Sequence, residues 1–485
     1  MKGLAGRWIK KPAQETVTDA DCDSRRIREG ALFVALKGDA VDGHRFVADA
    51  VRRGAKVVVA ERVVDVPDGV GLFVVEDGRA AAATIAAALN DHPSRKLKMI
   101  AVTGTAGKTT TTLLVRHILN ACGIPCAALT TISYYTASQP HPSHNTTPGP
   151  FRLHALLREA VQNRYRACVM EVSSHAICQK RVLGIDFSCA VLTNIGSDHL
   201  DYHKTHASYR AAKRRLFETL SSSAVAVLNA DDEWFSEFRR ASAARVLSYG
   251  LTDGEIRGRL LSGDLDGILV EVEAYGHAGR VRVPLVGRHN AYNVLAALGA
   301  ALSVGVGFEE AVSALGSFAG VPGRLERVGS GRPAVFVDFA HTEDALRAVL
   351  SALRPLTKGR LVVVFGCGGD RDRTKRGKMG AVAESLADVV VVTSDNPRSE
   401  KPEAIIAEIL DGMRHPERAM VEVDRRAAIL KALSLARPDD VVVVAGKGHE
   451  RVQIVGNRLI PFDDREVVRE ALERLDSLKR GRWVA

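Results

Sequence analysis

Short, almost wholly apolar runs recur along this chain, and most of them stop on a glycine or a charged residue. ALFVALKG, KVVVAE and GLFVVEDG come first; KMIAVTG, ACVMEV, CAVLTNI and AVAVLNAD follow; AVFVDFAH, RLVVVFGCGGDRD, DVVVVTSDNPR and DDVVVVAGKGHE close the series. A short apolar run without polar alternation fits a strand covered on both faces, as in a parallel sheet sandwiched by helices. Helical stretches such as TAGKTTTTLLVRHILNACG and EDALRAVLSAL stand between the runs, so the pattern predicts an α/β chain with doubly wound sheets. Ligands of such sheets gather at the carboxyl ends of the strands, where this chain keeps its glycines and charges.

Two breaks divide the series. DHPSRK ends the first group near Ser94, and the pattern resets around SFAGVPGRLERV. With 485 residues, three domains are expected: 1–95, 96–322 and 323–485. The first is an α/β domain, the second a P-loop-like parallel sheet, the third a Rossmann-like doubly wound sheet.

The formal charge of +10 could serve a nucleic acid, but Lys and Arg are spread along the chain and aromatics are only 5%, which leaves few stacking platforms for single strands. A small anionic substrate explains the charge more simply. No run approaches the roughly eighteen apolar residues of a membrane span, and MKGLAGRWIKKPAQ carries no apolar stretch behind its charges, so a cytoplasmic location is expected. The alanine-rich run Ala80–Leu89 reads as a buried helix. Seven cysteines without a tight spacing framework read as reduced thiols, with Cys122 and Cys126 as packing residues rather than a metal pair.

TGTAGKTTTT, Thr103–Thr112, carries the clearest chemistry. The usual phosphate loop spaces four residues between its glycines, whereas only Thr105 and Ala106 separate Gly104 from Gly107 here. It still offers glycines for close backbone approach, a helix start, Lys108 as a point charge and the Thr109 hydroxyl for magnesium. MEVSSH puts Glu171 at a strand end, and TNIGSDHLDYHKTH supplies Asp198, His199, Asp201, His203 and His206. His199 and His203 have the spacing of a zinc helix, but Leu200 stands where that motif needs glutamate. Magnesium held by Thr109, Glu171 and phosphate oxygens is the better expectation.

TGTAGKTTT, EVSSHAICQKR, TNIGSDHLDYH, YRAAKRRLF and DFAHTEDAL, in this order, resemble the Mur ligase family, ATP-dependent amide-forming enzymes of peptidoglycan synthesis. DSRRIREGALFVALKGDAVDGHRF, GRHNAYN, PGRLE and AGKGHE extend the resemblance over nearly the whole chain. The family's loop reads T-G-T-N-G-K-T-T, so the short spacing is its normal form, with Ala106 here in place of asparagine. The resemblance implies a carboxylate activated by ATP as an acyl phosphate and then captured by an amine. It assigns ATP to Gly104, Thr105, Ala106, Gly107, Lys108, Thr109 and Thr110, with Asn290, Asn293, Arg324, His341 and Asp344; on the residues alone, His341 and Asp344 also fit a capped helix start. It assigns catalysis to Lys108, Glu171, His199 and Lys213, and metal binding to Thr109, Glu171, His199 and Lys213 as an N6-carboxylysine. On residues alone Lys213 reads as a solvated helix charge.

Within the family, the opening motif and Thr146-Thr147 resemble members that extend UDP-N-acetylmuramoyl-L-alanyl-D-glutamate. That implies contacts to this nucleotide from Cys22, Ser24, Asp39, Ala40, Val41, Thr146, Thr147, Ser173, Gln179 and Arg181. DNPR, Asp395, Asn396, Pro397 and Arg398, accompanies diaminopimelate in the family; Arg371, Gly446 and Glu450 match the other amino-acid contacts. A guanidinium suits the second carboxylate of that diamine, which lysine lacks. KRGKM departs from the family's K-R-P-x-M. The alternatives are a lysine-adding ligase, folylpolyglutamate synthase and, from another class, a non-catalytic P-loop switch. Only small-molecule partners and a monomer are expected.

Overall fold

The computed structural model describes residues 4–13, 16–38, 41–196 and 200–481. Two compact units emerge: 1–258 with 272–279 and 292–315, and 259–271 with 280–291 and 316–485.

The first unit holds two sheets. In the N-terminal one, Gly71–Val75, Val57–Ala60, Leu32–Val34 and Ala20–Asp21 run parallel, and Gly6–Lys10 pairs antiparallel with Gly71–Val75. The alanine-rich run forms the helix Gly78–Leu89, capped by Asp77, whose side chain accepts from Ala80 N. Ala81, Ala82, Ala83, Ala86 and Ala87 are buried along it, and their small side chains let it pack closely on the helix Pro150–Gln162.

His154 of that second helix is completely buried, and neither ring nitrogen has a hydrogen-bond partner. Burial pushes its pKa down to about 4. The unfolded ring takes a proton below its ordinary value of 6.5 while the folded ring stays neutral until about 4, so this contribution to stability is complete above the upper value and lost as pH falls through the window. His449, pushed down to about 4 by burial, adds to the same loss. Exchanging His154→Leu should flatten the pH dependence of the thermal midpoint, with a difference of up to about 3 kcal/mol at the acid end. An unchanged profile would show that His154 is not held neutral.

In the central sheet, Arg245–Gly250, Val225–Asn229, Phe187–Leu192, Lys98–Thr103, Ala167–Glu171 and Cys126–Leu129 are parallel neighbours in that order. Ser133–Tyr135 and His141–Pro142 add antiparallel strands at one edge. Glu171 pairs with Val102, and Leu192 with Thr103. That register brings the loops after three adjacent strands out along one edge.

The second unit repeats the principle. Ala334–Asp338, Val441–Ala445, Leu361–Phe365, Val389–Val392 and Met420–Val421 form its parallel sheet, with Glu326–Arg327 antiparallel at one side. Its valine-rich strands bury both faces, Phe336, Val363 and Phe365 on one and Val335, Val337, Val362 and Val364 on the other. An antiparallel hairpin, Val452–Val455 with Arg458–Pro461, follows the last parallel strand.

All seven cysteines are free; Cys126 is buried in its strand, while Cys122 is only half-buried at a helix end. Among the described residues no helix is long and apolar enough to cross a membrane.

Candidate active site

The strand Lys98–Thr103 runs through the short loop into the helix Lys108–Ala121. Gly104 and Gly107 have φ of 148° and 82°. A Cβ on Gly104 would lie 1.9 Å from Thr193 Oγ1, and one on Gly107 2.3 Å from Asn293 Oδ1, so only glycine fits either position. The helix start leaves backbone N–H groups without intrahelical partners, an anion-binding arrangement.

Two ammonium groups meet on one carbonyl oxygen. Lys108 Nζ donates to Gly104 O and Thr105 O, both at 2.9 Å, and Lys213 Nζ donates to Gly104 O at 2.8 Å. Lys213 is 1% exposed, on the helix His206–Glu218. It is not the solvated helix charge that the residues alone suggest. Ala106 is held through its backbone: its N–H donates to Asn194 Oδ1 at 3.0 Å, and its carbonyl accepts from Thr193 Oγ1 at 2.6 Å. These anchors do not depend on the side chain at position 106. Thr105 Oγ1 lies 3.0 Å from Tyr209 OH and accepts from Gly196 N at 2.8 Å.

Glu171 is buried beside the loop. Its Oε1 accepts from Thr109 Oγ1 at 2.9 Å and from Thr131 N at 2.8 Å, and its Oε2 accepts from Thr131 Oγ1 at 3.1 Å. A hydroxyl and a carboxylate side by side at the loop are hard oxygen donors, a fit for magnesium. Among the described residues no group of three or more His, Cys, Asp or Glu side chains is set to hold a metal. Asp198 and His199 lie outside the described residues, as do Asp39 and Ala40. His203 Nε2 sits 2.9 Å from Ser174 Oγ.

Thr146, Thr147, Ser173, Gln179 and Arg181, expected from the sequence to contact the nucleotide substrate, form a network that continues from Glu171. Thr147 Oγ1 donates to Glu171 O at 2.9 Å and accepts from Ser173 N at 3.1 Å. Arg181 Nη1 donates to Thr147 O at 2.8 Å, while its Nε and Nη2 donate to Gln179 Oε1 at 3.0 and 2.6 Å. Thr146 Oγ1 lies 3.1 Å from Thr131 Oγ1. Cys22 follows the strand Ala20–Asp21, its thiol pushed up to about 12 by burial, and Ser24 is buried in the adjoining turn. Val41 is exposed. Lys180 pairs with Asp77, at the cap of the alanine-rich helix.

In the second unit, Asp395 and Asn396 are buried just past the strand Val389–Val392. Arg398 takes a left-handed φ of 51° and is clasped by the hairpin: its N–H donates to Ile454 O at 3.0 Å and its carbonyl accepts from Gly456 N at 2.7 Å. Its Nη1 donates to Gly369 O at 2.7 Å. A Cβ on Gly368 would stand 2.9 Å from Arg398 Nη1 and 3.7 Å from Arg371 Cγ, and one on Gly369 1.9 Å from Pro397 O. Glu450 Oε2 accepts from Asn396 Nδ2 at 2.8 Å and from the wholly buried Lys447 Nζ at 2.9 Å. Asp395 Oδ2 is buried without a hydrogen-bond partner, 2.6 Å from where a Gly446 Cβ would stand. The motif thus gathers Arg371, Asp395, Asn396, Pro397, Arg398, Gly446 and Glu450 around one set of strand ends.

Arg324 lies over the Phe339 ring at 4.8 Å, and His341 and His449 flank that ring at centroid distances of 4.5 and 4.9 Å. Arg324 Nε and His449 Nδ1 are buried without partners. Asp344 is exposed in the first turn of the helix Glu343–Leu353, which Thr342 caps. Asn290 belongs to the second unit and donates to Val286 O at 2.8 Å; Asn293 belongs to the first and accepts from Thr111 Oγ1 at 3.3 Å.

Thr131, Asn194 and Tyr209 were not singled out from the sequence, yet they fix Glu171 and the loop. Thr131 and Asn194 lie just past parallel strand ends, and that position is the signal that could have found them.

Comparison with known proteins agrees along the length of the chain. Residues 17–100 match the model of the Mur ligase family catalytic domain, 102–301 that of the Mur ligase middle domain, and 323–448 that of the Mur ligase glutamate ligase domain. The UDP-N-acetylmuramoyl-L-alanyl-D-glutamate–2,6-diaminopimelate ligase 1 of Clostridium acetobutylicum is 40% identical over 95% of this chain and 95% of its own. A solved structure of a UDP-N-acetylmuramoyl-L-alanyl-D-glutamate–2,6-diaminopimelate ligase, 32% identical, superposes with a TM-score of 0.69, covering 96% of this chain and 98% of its own. Folylpolyglutamate synthase of Mycobacterium tuberculosis, complexed with ADP and AMPPCP, shares the fold at 22% identity and a TM-score of 0.61 but covers only 76% of this chain. The short phosphate loop, the carboxylate beside it and relatives matching nearly end to end lead to one family: this chain belongs to the Mur ligases and has their three-domain α/β fold.

Proposed function

We propose that the chain is an ATP-dependent ligase that adds meso-2,6-diaminopimelate to UDP-N-acetylmuramoyl-L-alanyl-D-glutamate, yielding ADP and phosphate. The observation that carries the choice of amine is the pair Arg371 and Arg398, both beside Gly368, with Glu450 and the partnerless Asp395 oxygen nearby in sequence motif and strand end. Guanidinium groups match carboxylates and the two acids match ammonium groups, which suits a substrate bearing two of each. Lysine has a single carboxylate and would leave one guanidinium without its partner.

In the reaction, a carboxylate oxygen of the glutamyl end attacks the γ-phosphorus of ATP and ADP leaves. The amine then attacks the acyl carbon, and phosphate departs with the bonding pair. Positioning and charge neutralisation carry such a transfer. Lys108 and the helix start hold phosphate oxygens; Gly104, Thr105, Ala106, Gly107 and Thr110 line them. Magnesium, when bound, would neutralise charge on the transferred group, held by Thr109, Glu171, His199 and a carbamate on Lys213. Cys22, Ser24, Asp39, Ala40, Val41, Thr146, Thr147, Ser173, Gln179 and Arg181 take the nucleotide substrate; Asn290, Asn293, Arg324, His341 and Asp344 take adenosine. The segments 1–95, 96–322 and 323–485 divide these tasks, in a monomer working in the cytoplasm.

The test is phosphate release by the purified chain with ATP, magnesium and the UDP-muramoyl dipeptide. Diaminopimelate should stimulate release at least tenfold more than lysine, since a charge-assisted bidentate pair is worth about 1.5–3 kcal/mol. Equal stimulation by lysine would point to a lysine-adding ligase instead.

A further inference from the structure

Arg376 belongs to KRGKM and has no assigned part in binding or chemistry. Its side chain is completely buried. Its Nη1 donates to Glu400 Oε2 and Glu408 Oε2, both at 2.9 Å, and its Nη2 donates to Glu400 Oε1 at 2.8 Å and Gly368 O at 3.3 Å. Glu400 is held in turn: its Oε1 accepts from Asp370 N at 2.7 Å, and the guanidinium holds its pKa down to about 2.

These bonds fall on either side of a single residue, Gly369. Gly368 O is held by Arg376, Asp370 N by Glu400, and between them Gly369 O accepts from Arg398 Nη1 at 2.7 Å. Gly369 N donates to Asn396 O at 2.9 Å, and Asp370 accepts from Ser399 Oγ at 2.6 Å, so the loop is also zipped to the segment carrying Arg398. Glycines at 368 and 369 give the loop no side chains of its own to fix its course. The carbonyl that aims Arg398 therefore depends on the buried ion pair behind it.

We propose that Arg376, through Glu400, is a positioning residue that sets the direction of the Arg398 guanidinium and thereby the enzyme's preference for a diamine with a remote carboxylate. The inference rests on the reading of Arg398 as the group that grips that carboxylate. A remote misplacement of this kind costs on the order of tenfold to a hundredfold in substrate affinity. It acts on the amine alone, because no bond of Arg376 reaches the phosphate-loop residues.

The experiment is a double-mutant cycle of Arg376→Met with Arg398→Ala, reading KM for diaminopimelate, KM for ATP and the thermal midpoint. Arg376→Met should raise KM for diaminopimelate on the order of tenfold to a hundredfold with KM for ATP unchanged, and should add nothing in the Arg398→Ala background, because its effect passes through that side chain. Should the methionine variant fail to fold, Arg376→Lys, which keeps the charge but loses the fork, carries the same cycle with a smaller rise. An unchanged KM, or an equal further loss in the Arg398→Ala background, overturns the positioning role. A parent enzyme indifferent to diaminopimelate overturns the reading beneath it, and the inference with it.

Discussion

Lys108→Met is expected to lower the rate of ADP formation by about a thousandfold, the scale seen when one preorganised charge is removed from a site where charge develops. In the proposed γ-phosphoryl transfer, negative charge spreads over oxygens that the helix start and this ammonium would face. Methionine keeps most of the unbranched stem and removes the charge. The fold should tolerate it: Gly104 O retains its bond from Lys213, and Thr105 retains those involving Tyr209 and Gly196. The expected stability cost is about 1–3 kcal/mol, for two bonds donated by a part-buried ammonium. ADP formation, the thermal midpoint and ATP binding would be measured together; a variant that folds and still turns over within tenfold of the parent would remove Lys108 from the chemistry.

The sheets were legible because strands covered on both faces lose the alternation that would otherwise mimic other structure; Leu361–Phe365 and Val441–Ala445 could hardly be anything else. Thr103–Thr112 was legible because its glycines answer a steric demand, seen in the 1.9 Å approach at Gly104. Much of what holds the site was not. Arg376 sits beside Lys375 and Lys378 in sequence, and only the folded loops supply Glu400 and Glu408, the carboxylates that let it be buried. Arg425 is similar: it forms a fully buried pair with Asp464 and donates to Ser394 O and Ala445 O, the carbonyls just before Asp395 and Gly446. Nothing local to a helix start predicts a partner thirty-nine residues away.

Arg398→Ala should raise KM for diaminopimelate by about a hundredfold while leaving KM for ATP near that of the parent. The left-handed backbone at this position, φ 51°, tolerates alanine less well than glycine but no worse than arginine, and the clasp by Ile454 and Gly456 is made by backbone atoms that the substitution leaves in place. What disappears is the fork. A guanidinium meeting a carboxylate through parallel N–H bonds contributes about 1.5–3 kcal/mol, or roughly ten- to a hundredfold in affinity, and leaving the remote carboxylate desolvated without a partner adds to the loss. Arg398→Lys should recover only part of it, because an ammonium offers charge without the planar pair of donors. Lysine as the incoming amine separates the two causes of failure: it lacks the remote carboxylate, so its weaker reaction should be nearly the same in parent and Arg398→Ala. If the variant lost activity with both amines equally, the residue would be holding the loop together rather than reading the substrate.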